Sequence, residues 1–237
     1  MYVQTATFAT TKVPPLPPKS PSRVRDTVDF LKSIGTVHRL DAGQALFREG
    51  DEADDVFQIV QGIVKLYRLL PDGRRQIVGF VSKQNLVGFD DDDTYLYTAE
   101  AVTPVSVSRY RRGQFYRLVD EVPGFARHIL SARCRDLHSA QDQMLLLGRK
   151  TALERIASFL LMLAKMQTEA HGDGSIEVPM TRCDIADFLG LTIETVSRSL
   201  TKLRRDKVIS LPTATHIEIV NRDRLEDLAG GDEHGMI

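Results

Sequence analysis

Thr181-Arg182-Cys183-Asp184-Ile185-Ala186-Asp187-Phe188-Leu189-Gly190-Leu191-Thr192-Ile193-Glu194-Thr195-Val196-Ser197-Arg198-Ser199-Leu200 is the stretch whose reading decides the fold. Thr181 and Asp184 stand at capping-box spacing, so a helix is expected to begin there. Ala186 is small where a second helix would cross, Gly190 supplies a sharp turn, and Thr192 is a good N-cap for the helix that follows. Ile185, Leu189, Leu191, Val196 and Leu200 then share an inner face. Two short helices joined in this way make a helix-turn-helix.

Ile193, Glu194, Ser197, Arg198 and Thr201 remain on the outer face of the second helix. Glu194, Ser197 and Arg198 fall at i, i+3 and i+4, so they project together from the early turns, where a recognition helix meets base edges. Arginine donates two bonds to guanine O6 and N7, and glutamate accepts from a cytosine amino group, so the pair suits one G·C step in double-stranded DNA. Ile193 is the apolar candidate beside them. Arg198, Lys202, Arg204, Arg205 and Lys207 crowd against the single acid Asp206, a local patch suited to phosphates. Taken alone, Arg204 to Lys207 complete a solvated helix end equally well.

Downstream, Val208–Leu211 and His216–Val220 alternate as strands around Pro212-Thr213-Ala214-Thr215, and Arg222–Leu228 reads as a closing helix. Upstream lie an apolar helix at Ala152–Ala164, a break at Gly172 and Gly174, and a short strand Ile176-Glu177-Val178. Residues 149–230 are therefore expected to form a winged helix-turn-helix, followed by a flexible tail over 231–237.

The pattern before this unit differs. Residues 113–148 hold few helix breakers after Pro123, and Leu130, Cys134, Leu137, Gln141 and Met144 alternate steps of four and three. That narrow seam predicts one long dimerisation helix and a parallel homodimer. Residues 23–112 open with a short amphipathic helix at Ser22–Ile34. They continue as runs such as Asp55–Val60 and Ile63–Arg68, punctuated by glycines and by the hairpin turn Pro71-Asp72-Gly73. Successive short antiparallel strands predict a roll or barrel. The proline-rich leader over 1–22 has no composition for a core. The fold class is α+β: an antiparallel β-roll, a dimerisation helix and a winged helix-turn-helix.

A length of 237 residues with 42% hydrophobic content suits two modest domains. The net charge of −1 means that any nucleic-acid contact must come from a local patch. No apolar run is long enough to span a bilayer and no secretory signal opens the chain, so a soluble cytoplasmic protein without membrane contact is expected. The cysteines, Cys134 and Cys183, are too few for a disulfide framework or a four-cysteine cluster, which suits a reducing compartment. The histidines are dispersed, and no nucleophile–base set or phosphate loop appears. No enzyme, cofactor or metal is expected, although the acidic run Asp90 to Asp93 could hold a hard cation as an alternative to a solvated loop.

Two regions resemble the superfamily of the cyclic AMP receptor protein and the fumarate-nitrate reduction regulator. One is Ala42-Gly43-Gln44-Ala45-Leu46-Phe47-Arg48-Glu49-Gly50-Asp51 with Asp54–Gly62, which is similar to the opening strands of the family's cyclic-nucleotide module. The other is Glu194-Thr195-Val196-Ser197-Arg198, similar to the reader of the fumarate-nitrate branch. The chain is most similar to the FixK-type subgroup, which lacks iron–sulfur cysteines as this chain does. The resemblance implies a transcriptional activator that binds a TTGAT…ATCAA-type palindrome and contacts RNA polymerase. Its genes would serve microaerobic respiration, denitrification or nitrogen fixation. It also implies phosphate contacts at Thr181, Arg182, Cys183, Thr192, Thr195 and Lys202.

The departures are informative. Where the family's cyclic AMP pocket has a glutamate after a glycine, Gly88 is followed by Phe89. The later strand, beginning Tyr97-Thr98-Ala99, lacks the phosphate-binding arginine, so no cyclic nucleotide is expected to be needed. Cys134 on the seam reads as a small apolar residue. Cys183 sits in the first turn of a helix beside Arg182, surroundings that favour a reactive thiolate. Its oxidation would add bulk and charge against phosphate, a candidate redox input; an ordinary packed cysteine is the other reading. A ligand-gated sensor whose β-roll takes an unidentified effector is the alternative function.

Overall fold

The structure is a computed structural model and describes residues 35–89, 92–167 and 175–230. The leader, the helix expected at Ser22–Ile34, Asp90 and Asp91, the Gly172–Gly174 break and the tail over 231–237 lie outside the described residues.

The alternating segment folds as β1 (Thr36–Leu40), β2 (Ala45–Phe47), β3 (Asp55–Gln61), β4 (Val64–Leu69), β5 (Arg75–Val81), β6 (Leu86–Val87), β7 (Thr98–Ala101) and β8 (Val105–Arg111). They pair antiparallel into sheets of order β1-β8-β3-β6 and β2-β7-β4-β5. Val56 lies opposite Tyr110 and Ile59 opposite Val107 in the first; Lys65 lies opposite Glu100 in the second. The inner faces meet in a core of Phe57, Ile59, Val64, Val87, Ala99 and Val107. Phe47 lies between Tyr95 and Phe57, with ring centroids 3.9 and 5.7 Å away. The β4–β5 hairpin closes as expected at Pro71-Asp72-Gly73: the Leu70 N–H donates to the Arg74 carbonyl, and Gly73 takes φ 83°.

Residues 113–148, expected as one helix, belong to two. α1 (Arg112–Glu121) and α2 (Pro123–Arg149) meet at Val122, which is extended at φ −121° and ψ 92°. Proline disfavours the helical region for the residue before it, so Pro123 ends one helix and opens the next. Val122 is buried with Phe115, Leu118, Phe125 and Ile129 against Val56 and Tyr110, so α1 seals one end of the roll and anchors the start of α2.

Beyond α2 come α3 (Ala152–Gln167), β9 (Ser175–Glu177), α4 (Arg182–Leu189), α5 (Ile193–Arg205), β10 (Ile209–Ser210), β11 (His216–Ile219) and α6 (Arg222–Leu228). The strands form a sheet of order β10-β11-β9, and the helices bury Ile156, Phe159, Leu160, Leu163, Ile185, Leu189, Val196, Leu200 and Leu203 in one core. Ile77 and Phe80 from β5 belong to that same core. The Phe80 ring lies 5.1 Å from Phe188 and 6.3 Å from Phe159. Burying each of these two side chains contributes about 1.5–3 kcal/mol to joining roll and helices. Among the described residues no helix is long and apolar enough to cross a membrane.

Candidate nucleic-acid interface

The local chemistry of the motif works as its sequence predicts. Thr181 is the N-cap of α4: its hydroxyl accepts from the Asp184 N–H at 3.0 Å, and the Asp184 carboxylate accepts from the Thr181 N–H at 3.2 Å. Gly190 ends the helix in the left-handed region at φ 61° and ψ 43°, where a side chain would be strained. A Cβ there would also lie 3.4 Å from the Leu147 side chain. Thr192 then caps α5, accepting from the Thr195 N–H at 3.2 Å. The inner face is buried as expected, with Leu191 packed at its edge.

The outer face of α5 is open. Ile193, the first residue of α5, is 46% exposed. Glu194, Ser197, Arg198 and Lys202 are exposed beside it, and Ser197, Arg198, Thr201, Lys202 and Arg205 line a shallow groove. The Glu194 carboxyl is held below its ordinary range by its own backbone N–H, then by the Thr192 hydroxyl and the charge of Arg198. It is therefore an ionised acceptor at neutral pH. Thr195 is half-buried, its hydroxyl 3.0 Å from that of Thr192, and the Thr201 hydroxyl turns back to the Ser197 carbonyl.

Thr181 and Cys183 are exposed at the start of α4. Arg182 departs from the reading that placed it against phosphate and beside the thiol. Its guanidinium is half-buried and reaches the wing, where Nη2 lies 3.4 Å from the Ala214 carbonyl, while Nη1 is buried with no hydrogen-bond partner among the described residues. The guanidinium that approaches Cys183 is that of Arg75, with Nη2 3.9 Å from Sγ; Asp187 Oδ2, paired with that guanidinium at 2.8 Å, lies 3.8 Å from the sulfur.

Residues 154–228 match the Crp-like helix-turn-helix domain, and residues 37–122 match the cyclic nucleotide-binding domain. The chain is 41% identical over 187 residues to the transcriptional activatory protein AadR of Rhodopseudomonas palustris, covering 78% of each chain. It is 38% identical to the nitrogen fixation regulation protein FixK of Bradyrhizobium diazoefficiens, covering 83% of each. The solved structure of FixK2 from Bradyrhizobium japonicum superposes with a TM-score of 0.77 at 36% identity, over 82% of this chain and 97% of that one. The chain belongs to the Crp/Fnr family.

The long helix of this Crp/Fnr regulator carries its seam in the open. Leu130, Leu137 and Met144 are 65%, 57% and 64% exposed, and Cys134 and Gln141 are exposed between them. The opposite side of the helix start is used up, since Phe125 and Ile129 are buried against the roll. Leu130, Leu137 and Met144 thus form a row of exposed apolar side chains on one helix face.

The regulator also uses residues that the sequence does not single out. Lys65 on β4 lies 2.9 Å from Asp184 Oδ1 and 2.9 Å from Glu100 Oε1. Arg75 on β5 lies 2.7 Å from Asp184 Oδ1 and 2.8 Å from Asp187 Oδ2. Burial alone would raise the Asp184 carboxyl, but the Thr181 hydroxyl, Lys65 and Arg75 outweigh it and hold it below its ordinary value. At the other end of α4, Arg155 Nη1 donates to the Leu189 carbonyl and Gln143 Nε2 to that of Phe188, each at 2.8 Å. The only signal in the sequence is Lys65 within an apolar strand, and its partner is 119 positions away.

Proposed function

We propose that the protein is a homodimeric transcriptional activator that reads a TTGAT…ATCAA-type palindrome through Glu194, Ser197 and Arg198, with Ile193 against a thymine methyl. The observation that carries this is the single exposed face on which an ionised carboxylate and a guanidinium stand one turn apart, at the start of a capped helix. Thr181, Thr192, Thr195, Lys202 and Cys183 flank that face as phosphate-side residues. Arg182 acts there by bracing the wing. The names of the relatives, a transcriptional activator and a nitrogen fixation regulator, support activation of nitrogen-fixation genes; low-oxygen genes and a contact with RNA polymerase are part of the same proposal.

Cyclic nucleotide has no part in this reading. Phe89 occupies the position after Gly88, and its ring packs 5.1 Å from Phe115 and 5.3 Å from Tyr116, with the Arg133 guanidinium 4.9 Å above it. The position that would carry the nucleotide-binding glutamate instead joins the roll to α1 and α2 by aromatic packing.

The test is a titration of reduced protein, with no added ligand, on a palindromic duplex and on one with the half-site G·C pair changed. Discrimination of about tenfold or more that disappears in Glu194→Ala or Arg198→Ala is the expected result. Weak binding indifferent to the change would overturn it and favour a sensor that awaits an effector. Cys183, exposed in the first turn of α4, adds a redox input: its oxidation would place charge where the phosphate backbone runs.

A further inference from the structure

One carboxylate performs two tasks at the start of the motif. Asp184 Oδ2 lies 2.7 Å from the Thr181 hydroxyl and completes the helix cap, while Oδ1 takes both Lys65 and Arg75 from the roll. Gln76 Nε2 donates to the Asp187 carbonyl at 2.8 Å, so three side chains of the β4–β5 hairpin grip a helix of eight residues.

Ile77 and Phe80 already fasten roll and helices together, but apolar contact has little direction and tolerates several poses. The ion pairs close in only one. Lys65 is 7% and Asp184 4% exposed, so a pose that parts them strands buried charge. The far end of α4 is tied by Gln143 and Arg155 to the end of α2 and the link that follows it; Arg155 Nη2 also donates to the Leu147 carbonyl at 2.8 Å. Since α5 follows α4 directly across the Gly190 turn, its direction is inherited from that of α4.

We infer that Lys65 and Arg75 are positioning residues for DNA reading: acting through Asp184 and Asp187, they fix the two recognition helices of the dimer at one separation without touching DNA. This rests on the palindrome reading and deepens it. In a dimer bound at one half-site, the second half-site is met at an effective concentration set by how rigidly the other reading helix is held. Heads held at one separation bind one spacing tightly and penalise others; loosened heads bind every spacing less tightly and more evenly.

Full-length wild type and Lys65→Met/Arg75→Leu would be titrated on palindromes whose half-sites stand at a series of separations, each over a range of salt. The variant is expected to bind the preferred spacing about tenfold or more weakly and to show a smaller penalty for the others. Its salt slope should equal that of wild type, because every phosphate-facing cation is still in place. Arg75→Lys should retain most of the spacing preference. A folded, dimeric double variant with unchanged affinity and spacing penalty would overturn the inference, as would a shallower salt slope, which would put these cations on the DNA itself. If circular dichroism shows the double variant unfolded, Arg75→Gln, which keeps the Lys65–Asp184 pair, carries the same comparison. Wild type that ignores the palindrome sinks the reading beneath and this inference with it.

Discussion

Lys65 Nζ lies 2.9 Å from Asp184 Oδ1, and both side chains are buried, although 119 positions separate them. Removing one member of a buried pair leaves the other desolvated and unpaired. Asp184→Ala also deletes half of the capping box. The expected cost is about 3 kcal/mol or more, read as a shift of the urea midpoint. A cost below about 1 kcal/mol would mean the pair is solvated in solution, in the range of surface ion pairs.

The same pair predicts a pH dependence. Asp184 is depressed below its ordinary value, so its contribution is present above about pH 4 and is lost as pH falls through its folded value. For Lys65, burial pulls the ammonium down, but Glu100 and Asp184 outweigh it and raise it. That contribution is full below about pH 10 and is lost as pH rises through the raised value. The difference in thermal midpoint between wild type and Asp184→Asn should therefore be flat from about pH 5 to 9 and shrink at lower pH. A difference that changes steeply near pH 7 would assign the effect to other groups.

Local chemistry explains how much was legible. The caps at Thr181 and Thr192, the Gly190 turn and the hairpin turn at Pro71–Gly73 each depend on residues within about four positions of one another, which a sequence displays directly. The break at Val122 is present in the sequence as well, because Pro123 opens a helix and restrains its predecessor; the seam from Leu130 to Met144 lies wholly beyond it and says nothing of residues 113–122. Arg182 reads as a free cation until the wing folds back over it. The grip of Lys65, Arg75 and Gln76 on α4 depends on the pose of one unit against another, and no local pattern encodes that.

The seam on α2 predicts the oligomeric state. Leu137→Glu would place a charge at the middle of a two-stranded apolar contact, where its copy would face it in a parallel pair. Because Leu137 is 57% exposed in the single chain, the substitution should leave the fold intact. Sedimentation should show a shift from dimer toward monomer, together with loss of palindrome binding. A variant that remains fully dimeric would place the interface elsewhere.

Lys202 tests the division between positioning and phosphate contact. It is exposed on the groove of α5, one turn beyond Arg198. Lys202→Ala should weaken binding to all sequences alike. Since each subunit of the dimer would then neutralise one phosphate fewer, the salt slope should fall by about 2. An unchanged slope would remove Lys202 from the phosphate-facing residues.

Cys183 is exposed at the N-terminal turn of α4, with the Arg75 guanidinium 3.9 Å and the Asp187 carboxylate 3.8 Å from its sulfur. Attack of its thiolate on hydrogen peroxide transfers one oxygen to sulfur and releases hydroxide, and further oxidation yields a charged sulfinate or sulfonate. Such a group would repel a phosphate on the DNA side and compete with Asp184 and Asp187 for Arg75 on the roll side. Both effects lower operator affinity. Cys183→Ser keeps a small polar side chain at the position and should bind DNA like the reduced wild type, while escaping inactivation by peroxide. Cys134→Ser, changed on the seam instead, should remain sensitive. If Cys183→Ser is still inactivated by peroxide, oxidation acts elsewhere and the exposed thiol is an ordinary surface residue.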